Sequence, residues 1–229
     1  MSLEKNYKQH WDDKFRLGRW GRYPPEDLVR FMGRNYQGID HGKVSVLEVG
    51  CGPGANLWFL HREGFHIAGI DGSPAAIEAS AYRLAHENKD LNPLAPDLRT
   101  GDFSVLPWPD AGFDLVVDIY AIYANTLKVI HATLAEIDRV LKPGGRIYSK
   151  LWGRNTTGYG EGKKIEEGTY EDIPTGPCKG MGLSHFFDQG EIQKVFSKFE
   201  ILAIDVLTRT DSEKGHRIEE YACQFAKRI

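Results

Sequence analysis

Residues Val44 to Val49 form an apolar, largely β-branched run interrupted only by Ser45 and Glu48, and it stops at Gly50 Cys51 Gly52 Pro53 Gly54. Glycine at every second position cannot sustain either regular element, so the chain turns there. Ala55 to Glu63 then places Leu57 and Leu60 at helical spacing before Gly64 ends the pattern. A strand that feeds a glycine turn into a helix offers bare backbone amides and a helix N-terminus to a ligand. This unit also sets how the following residues read. His66 to Ile70 is a second strand, and Asp71 Gly72 Ser73 Pro74 is a turn with Ser73 as N-cap and Pro74 at the first helical position of a helix to about His86. Asp97 to Gly101 is a weaker third strand and Phe113 to Ile119 a strong fourth. Leu127 to Leu141 is a helix whose apolar stripe runs through Ile130, Leu134 and Ile137; Lys142 Pro143 Gly144 Gly145 ends it, and Arg146 to Leu151 is the fifth strand. Such alternation predicts a mainly parallel sheet with helices on both faces.

Two regions stand outside the alternation. Residues 1–42 are rich in aromatic and basic side chains, with Trp11, Trp20 and Tyr23 close to Pro24 Pro25. Residues 152–187 are loaded with glycine from Gly153 to Gly182 and predict no long regular element of their own. Asp188, with Glu191 three residues on, forms a capping-box pattern for a helix to Phe199. Glu200 to Leu207 and Glu220 to Ala226, joined by a polar turn at Asp211 to His216, predict a closing antiparallel hairpin. Length fits one domain: 229 residues, with a core at 43–151 and a C-terminal helix and hairpin at 188–229.

Composition narrows the partners. Hydrophobic residues at 41% and charged residues at 27% suit an ordinary globular chain. The cysteines Cys51, Cys178 and Cys223 lie far apart with no CxxC pair, so neither a disulfide framework nor a metal site is expected. With 29 basic against 32 acidic residues, the chain lacks the electrostatic footprint of a nucleic-acid binder, and a small-molecule partner is favoured. No apolar stretch reaches membrane-spanning length, and the polar start is unlike a signal peptide; the expectation is a cytoplasmic protein with no membrane partner.

Two kinds of ligand compete for the glycine loop. Gly50, Gly52 and Ala55 satisfy the dinucleotide fingerprint, with Asp71 suitably placed for a ribose hydroxyl. Glu48, just before the loop, argues against a pyrophosphate, because like charges 4 Å apart repel by roughly 4 kcal/mol at an effective dielectric of 20. A ligand bearing a cation suits the position better. Here the sequence resembles the class I S-adenosylmethionine-dependent methyltransferases of the type 11-like group, over most of Val44 to Ile229. The motifs are Glu48 Val49 Gly50 Cys51 Gly52 Pro53 Gly54, then Gly69 Ile70 Asp71 Gly72 Ser73, then Gly101 Asp102 Phe103 with Phe113 Asp114 Leu115 Val116, and finally Leu141 Lys142 Pro143 Gly144 Gly145.

The resemblance implies a doubly wound, Rossmann-like α/β fold, with a seven-stranded, mostly parallel sheet whose last strand is antiparallel. It implies S-adenosylmethionine as cofactor and S-adenosylhomocysteine as product. Glu48 would hold the methionine ammonium, with Gly50, Cys51, Gly52 and Gly54 allowing close approach; Asp71, followed by Gly72 and Ser73, would take the ribose hydroxyls. Asp102 and Phe103 would meet adenine, and Asp118, Ile119 and Tyr120 would stand where the methyl group is transferred. By the same resemblance residues 1–42 hold a lid helix around Tyr7 to Phe15, with Trp11 and Trp20 near the sulfonium, and 152–187 is a substrate insertion. Arg16, Arg19, Arg22 and Arg154 could face an anionic acceptor or solvent. His185 is a candidate general base, to be weighed against a histidine packed with Phe186 and Phe187. The expected reaction is methyl transfer to O or N of a small molecule. Alternatives are protein side-chain methylation, an NAD(P)-dependent oxidoreductase, or a catalytically silent cofactor-binding protein. No Tyr-x-x-x-Lys dyad supports the oxidoreductase.

Overall fold

The computed structural model describes residues 3–17, 20–88 and 92–229, with side chains from Gln9 onward; Arg19 lies outside the described residues. In chain order the elements are α1 (Leu3–Leu17), α2 (Glu26–Tyr36), a short 3-10 turn (His41–Lys43), β1 (Ser45–Val49), α3 (Ala55–Arg62), β2 (His66–Asp71), α4 (Pro74–Glu87) and β3 (Asp97–Thr100). Then come β4 (Phe113–Ile119), α5 (Leu127–Val140), β5 (Leu141–Trp152), β6 (Lys163–Glu166), β7 (Thr169–Glu171), β8 (Ser184–His185), α6 (Gln189–Val195), β9 (Phe199–Thr210) and β10 (Arg217–Lys227). The main sheet has seven strands in the order β3-β2-β1-β4-β5-β10-β9. Strands β1 to β5 pair in parallel, and β10 runs antiparallel to both β5 and β9, as the closing hairpin required.

Alternation along buried strands supplies a core on each face. Val46, Leu115, Val117 and Tyr148 point to one side, where Leu28, Phe31 and Met32 of α2, Leu57 and Leu60 of α3 and Leu84 of α4 cover them. Leu47, Val49, Val116 and Ile147 point to the other, packed against Ile130, Leu134 and Ile137 of α5 and Ile192 and Val195 of α6. Both faces of the central strands β1 and β4 are covered, so each of these reads as a mostly apolar run.

The local start signals hold. Ser73 Oγ accepts from the Ala76 amide at 3.1 Å, and the Asp188 carboxylate accepts from the Glu191 amide at 2.8 Å. Three readings change. Helix α2 lies in a region the strand-helix alternation passed over; it begins after Pro25 with Glu26 and Asp27 in its first turn, which complements the helix dipole. Strand β5 starts at Leu141, ahead of the expected Arg146, because Leu141 already pairs with Phe113 and the Lys142 to Gly145 segment is absorbed as a register shift. The glycine-rich insertion is ordered into a three-stranded sheet, β6-β7-β8. At Gly176 a side chain would stand 1.9 Å from the Thr157 carbonyl oxygen, so glycine there permits backbone-to-backbone packing.

Candidate functional site

The strand order jumps from β1 to β4, and in such sheets ligands bind beyond the carboxyl ends at the switch point. The glycine loop occupies that place. Gly50 and Gly54 hold positive φ of 64° and 79°, and a Cβ on them would lie 2.2 Å from Ala121 Cβ and 2.3 Å from Ser80 Oγ. Those two glycines let the loop close onto the segment after β4 and onto α4. Gly52 differs, since its Cβ position faces Phe15 Cζ at 3.5 Å and Trp20 Nε1 at 4.0 Å. Trp11, Phe15 and Trp20 form one aromatic cluster, with ring centroids 5.1 to 6.0 Å apart, over the loop. Trp11 is half-buried and Trp20 exposed in this cluster beside Gly52.

Glu48 lies beneath the loop at 1% exposure. Its Oε1 accepts from Asn56 Nδ2 at 2.6 Å, while Oε2 has no hydrogen-bond partner. Burial pushes the carboxyl up to about 8, opposed by the Asn56 hydrogen bond and, more weakly, by the Leu57 amide, and aided by Asp71 and Asp118. An orphaned carboxyl oxygen under a glycine loop fits a ligand that brings a charged donor, as an ammonium does. Asn56 was absent from the sequence reading, although it sits in the first turn of α3, directly above the strand that carries Glu48.

Asp71 ends β2. Its Oδ2 accepts from the Gly52 amide at 2.8 Å and its Oδ1 from the Ser73 amide at 2.9 Å, so it pins the glycine loop to the turn before α4. Burial raises its carboxyl above the ordinary value against both hydrogen bonds. A carboxylate has about four acceptor positions, which leaves room for two hydroxyls. Gly72 is half-buried beside it, and Ser73 is fully buried. A second acid from α1 completes the turn: Asp12 accepts from Ser73 Oγ at 2.7 Å, the Ala75 amide at 3.0 Å and Arg16 Nε at 2.7 Å. Arg16 is thereby committed to Asp12, and Arg22 pairs with Glu87.

On the neighbouring strand the structure corrects one expectation. Asp118 is fully buried, and its carboxylate is taken up by the Ala121 amide at 3.0 Å, the Ile122 amide at 3.1 Å and Ser149 Oγ at 2.5 Å. Those three donors tie it to the loop after β4 and to β5, and its complete burial sets it below the sheet edge. Burial pushes its carboxyl up to about 6. Ile119 packs against the α2-side core. Tyr120 is half-buried with φ of 54°, a left-handed conformation uncommon for a large side chain. Asp102 is exposed, and its Oδ1 accepts from Ser104 N at 2.9 Å and Ser104 Oγ at 2.7 Å; Phe103 Cε1 lies 3.7 Å from the Gly50 Cβ position, so this turn borders the glycine loop. Cys51 is buried, and burial pushes its thiol well above the ordinary value; its amide donates to the Ile70 carbonyl and its carbonyl accepts from the Gly54 amide.

A second correction concerns His185. It is fully buried in β8, with Nδ1 2.7 Å from Thr169 Oγ1 and Nε2 3.3 Å from Glu191 Oε2, and its ring packs edge-on against Phe187. Both nitrogens face protein, so it braces the insertion against α6 and presents no base to an acceptor. Arg154 does related work, pairing with Asp188 at 2.8 Å and Glu191 at 3.0 Å. Among the described residues no group of three or more His, Cys, Asp or Glu could hold a metal, and no helix is long and apolar enough to cross a membrane.

Residues 46–145 match the family model described as a methyltransferase domain. A sterol 24-C-methyltransferase of Gibberella zeae is 34% identical over 145 residues, covering 61% of this chain and 36% of its own length. A tRNA N(3)-cytidine methyltransferase of Gallus gallus is 24% identical over 223 residues, covering 90% of this chain and 58% of its own. Among solved structures, an S-adenosylmethionine-dependent methyltransferase of Methanosarcina mazei superposes with a TM-score of 0.71 at 22% identity, covering 90% of this chain and 99% of that one. The 46–145 core is thus similar to S-adenosylmethionine-dependent methyltransferases, and the cofactor that this likeness implies is S-adenosylmethionine. The chain spans about a third to three fifths of the length of these two curated relatives.

Proposed function

We propose that this chain transfers a methyl group from S-adenosylmethionine to an oxygen or nitrogen atom of a small-molecule acceptor. The observation that carries the reading is the orphaned Oε2 of Glu48, buried beneath a glycine loop that is tied to the Asp71 carboxylate. A pyrophosphate finds no complement there; a cationic amino acid moiety does. When bound, the cofactor supplies an electrophilic methyl group on a sulfonium. Glu48 takes the ammonium, Asp71 the ribose hydroxyls, and Asp102 with Phe103 the adenine. The rings of Trp11, Phe15 and Trp20 exclude water, and alignment of this kind lowers a barrier by about 7 to 11 kcal/mol.

Acceptor choice falls to residues 1–42 and 152–187, both of which lie outside the matched 46–145. The relatives are named for acceptors as different as a sterol carbon and a tRNA base, so the likeness does not choose among them. A net charge of -3 favours a small molecule over a polynucleotide. Incubation with labelled methyl donor plus either a small-metabolite extract or bulk tRNA tests the reading. Label is expected in the metabolite fraction, and label only in tRNA overturns the acceptor class.

A further inference from the structure

Beside the glycine loop lies a group of buried charges that cofactor binding does not use. Ala121 closes on Gly50, so Tyr120 stands one residue from the loop. Its phenol donates to Glu220 Oε1 at 2.5 Å, and its ring stacks on Trp152 at 4.3 Å between centroids. Glu220 Oε2 lies 3.3 Å from Lys150 Nζ, which is 3.1 Å from Asp27 Oδ1; Asp27 Oδ2 accepts from the Tyr148 phenol at 2.7 Å. Arg209 approaches Glu220 Oε1 at 3.8 Å from β9. Lys150 from β5, Asp27 from α2 and Arg209 from β9 are thus the charged groups around the Tyr120–Glu220 pair. Lys150 and Glu220 are buried, whereas Tyr120 is only half-buried and in a left-handed backbone conformation. Buried ion pairs add little net stability over apolar packing, and strained residues gather at functional sites.

We propose that Tyr120 and Glu220 form the proton-accepting half of the acceptor site, so that the methylated group is a hydroxyl or a protonated amine that must lose a proton. This rests on the methyltransferase reading and narrows it. The acceptor's O–H or N–H bond breaks with its electron pair left on the acceptor atom. The proton passes to the Tyr120 oxygen while the phenol's own proton passes to Glu220 Oε1, and the carboxyl then returns it to water. No oxidant or reductant is involved. Lys150 and Asp27 are positioning residues that fix Glu220.

The test compares wild type with Glu220→Gln and Tyr120→Phe, the second keeping the stack on Trp152. Calorimetry with S-adenosylhomocysteine should give dissociation constants within about threefold of wild type for both variants. In unliganded protein labelled with 13Cζ-tyrosine, the Tyr120 resonance, assigned by its loss in Tyr120→Phe, should move in Glu220→Gln, because the phenol donates to that carboxylate. Labelled methyl transfer into the small-metabolite extract should fall at least tenfold in both variants, and the rising limb of its pH profile should vanish in Glu220→Gln, since a general base contributes about 10²- to 10⁴-fold. Wild-type rates and an unchanged pH profile in variants that bind the cofactor product, or a Tyr120 resonance indifferent to Glu220, would overturn the proposal. Failure of wild type itself to bind S-adenosylhomocysteine would overturn the methyltransferase reading first.

Discussion

Glu48 and Asp118 are carboxyls sealed into adjacent strands, and their surroundings divide the labour between them. Both oxygens of Asp118 accept hydrogen bonds, whereas Glu48 has Asn56 on Oε1 and an orphaned Oε2. In the unfolded chain the Glu48 carboxyl ionises near 4.5, whereas burial in the fold pushes it up to about 8. Between those values the native state holds a proton that the unfolded state has lost, so stability falls as pH rises from about 4.5 to about 8 and then levels. Glu48→Gln keeps the shape and removes that penalty. Melting curves without ligand should place the variant at least ~4 °C above wild type near pH 9 and level with it near pH 4. The same variant should bind S-adenosylmethionine more weakly. His185→Gln belongs to the other kind of residue: losing the Thr169 contact should lower the melting temperature by roughly 2 to 4 °C, as about 1 kcal/mol does in a chain of this size, without moving the pH profile of turnover. The glycine loop, Asp71 and the Ser73 cap were legible because each announces itself within a few residues. Glu220 and Asn56 were not, because their partners are set by strand pairing and by the packing of α3 over β1.

Asp12 is the α1 side chain that hydrogen-bonds the turn before α4, to Ser73 Oγ and the Ala75 amide. The Ala75 amide, then the Ser73 hydroxyl and Arg16, pull the Asp12 carboxyl down to about 2. Its folded value lies below the ordinary 3.8, so its stabilising contribution is complete above pH 3.8 and is lost as pH falls through about 2. Asp12→Ala should therefore free α1 at neutral pH. Limited trypsin digestion should cut at Lys14 or Arg16 at least about fivefold faster, and tryptophan fluorescence should report faster release of S-adenosylhomocysteine; unchanged release with a detached α1 would sever the lid from cofactor retention. The aromatic cluster made this segment noticeable in sequence, but its docking partner was hidden, since Asp12 meets Ser73 across 61 residues. Helix α2 was hidden for a different reason. Its Pro-Pro-acid start is a helix signal, but it lies in a stretch whose aromatics drew the reading away from periodicity.

At the scale of the whole molecule, the sheet edge divides into two halves that meet where Ala121 closes on Gly50. One half, over β1 and β2, is built from contiguous motifs, and both it and the strand order follow from local pattern. The other half gathers α2, the loop after β4, β5 and β10, elements that only the completed sheet brings together. The insertion was legible as an interruption, while its small sheet arises from close backbone contacts that composition does not reveal. The central claim, that this edge is built for S-adenosylmethionine, is tested most directly by thermal denaturation with S-adenosylhomocysteine and, separately, with NADH. A ligand at 100 times its dissociation constant adds about 2.7 kcal/mol, which for a chain of this size raises the melting temperature by roughly 5 to 11 °C. That shift with S-adenosylhomocysteine and none with NADH is the expected result; a shift of that size with NADH and none with S-adenosylhomocysteine would contradict the account.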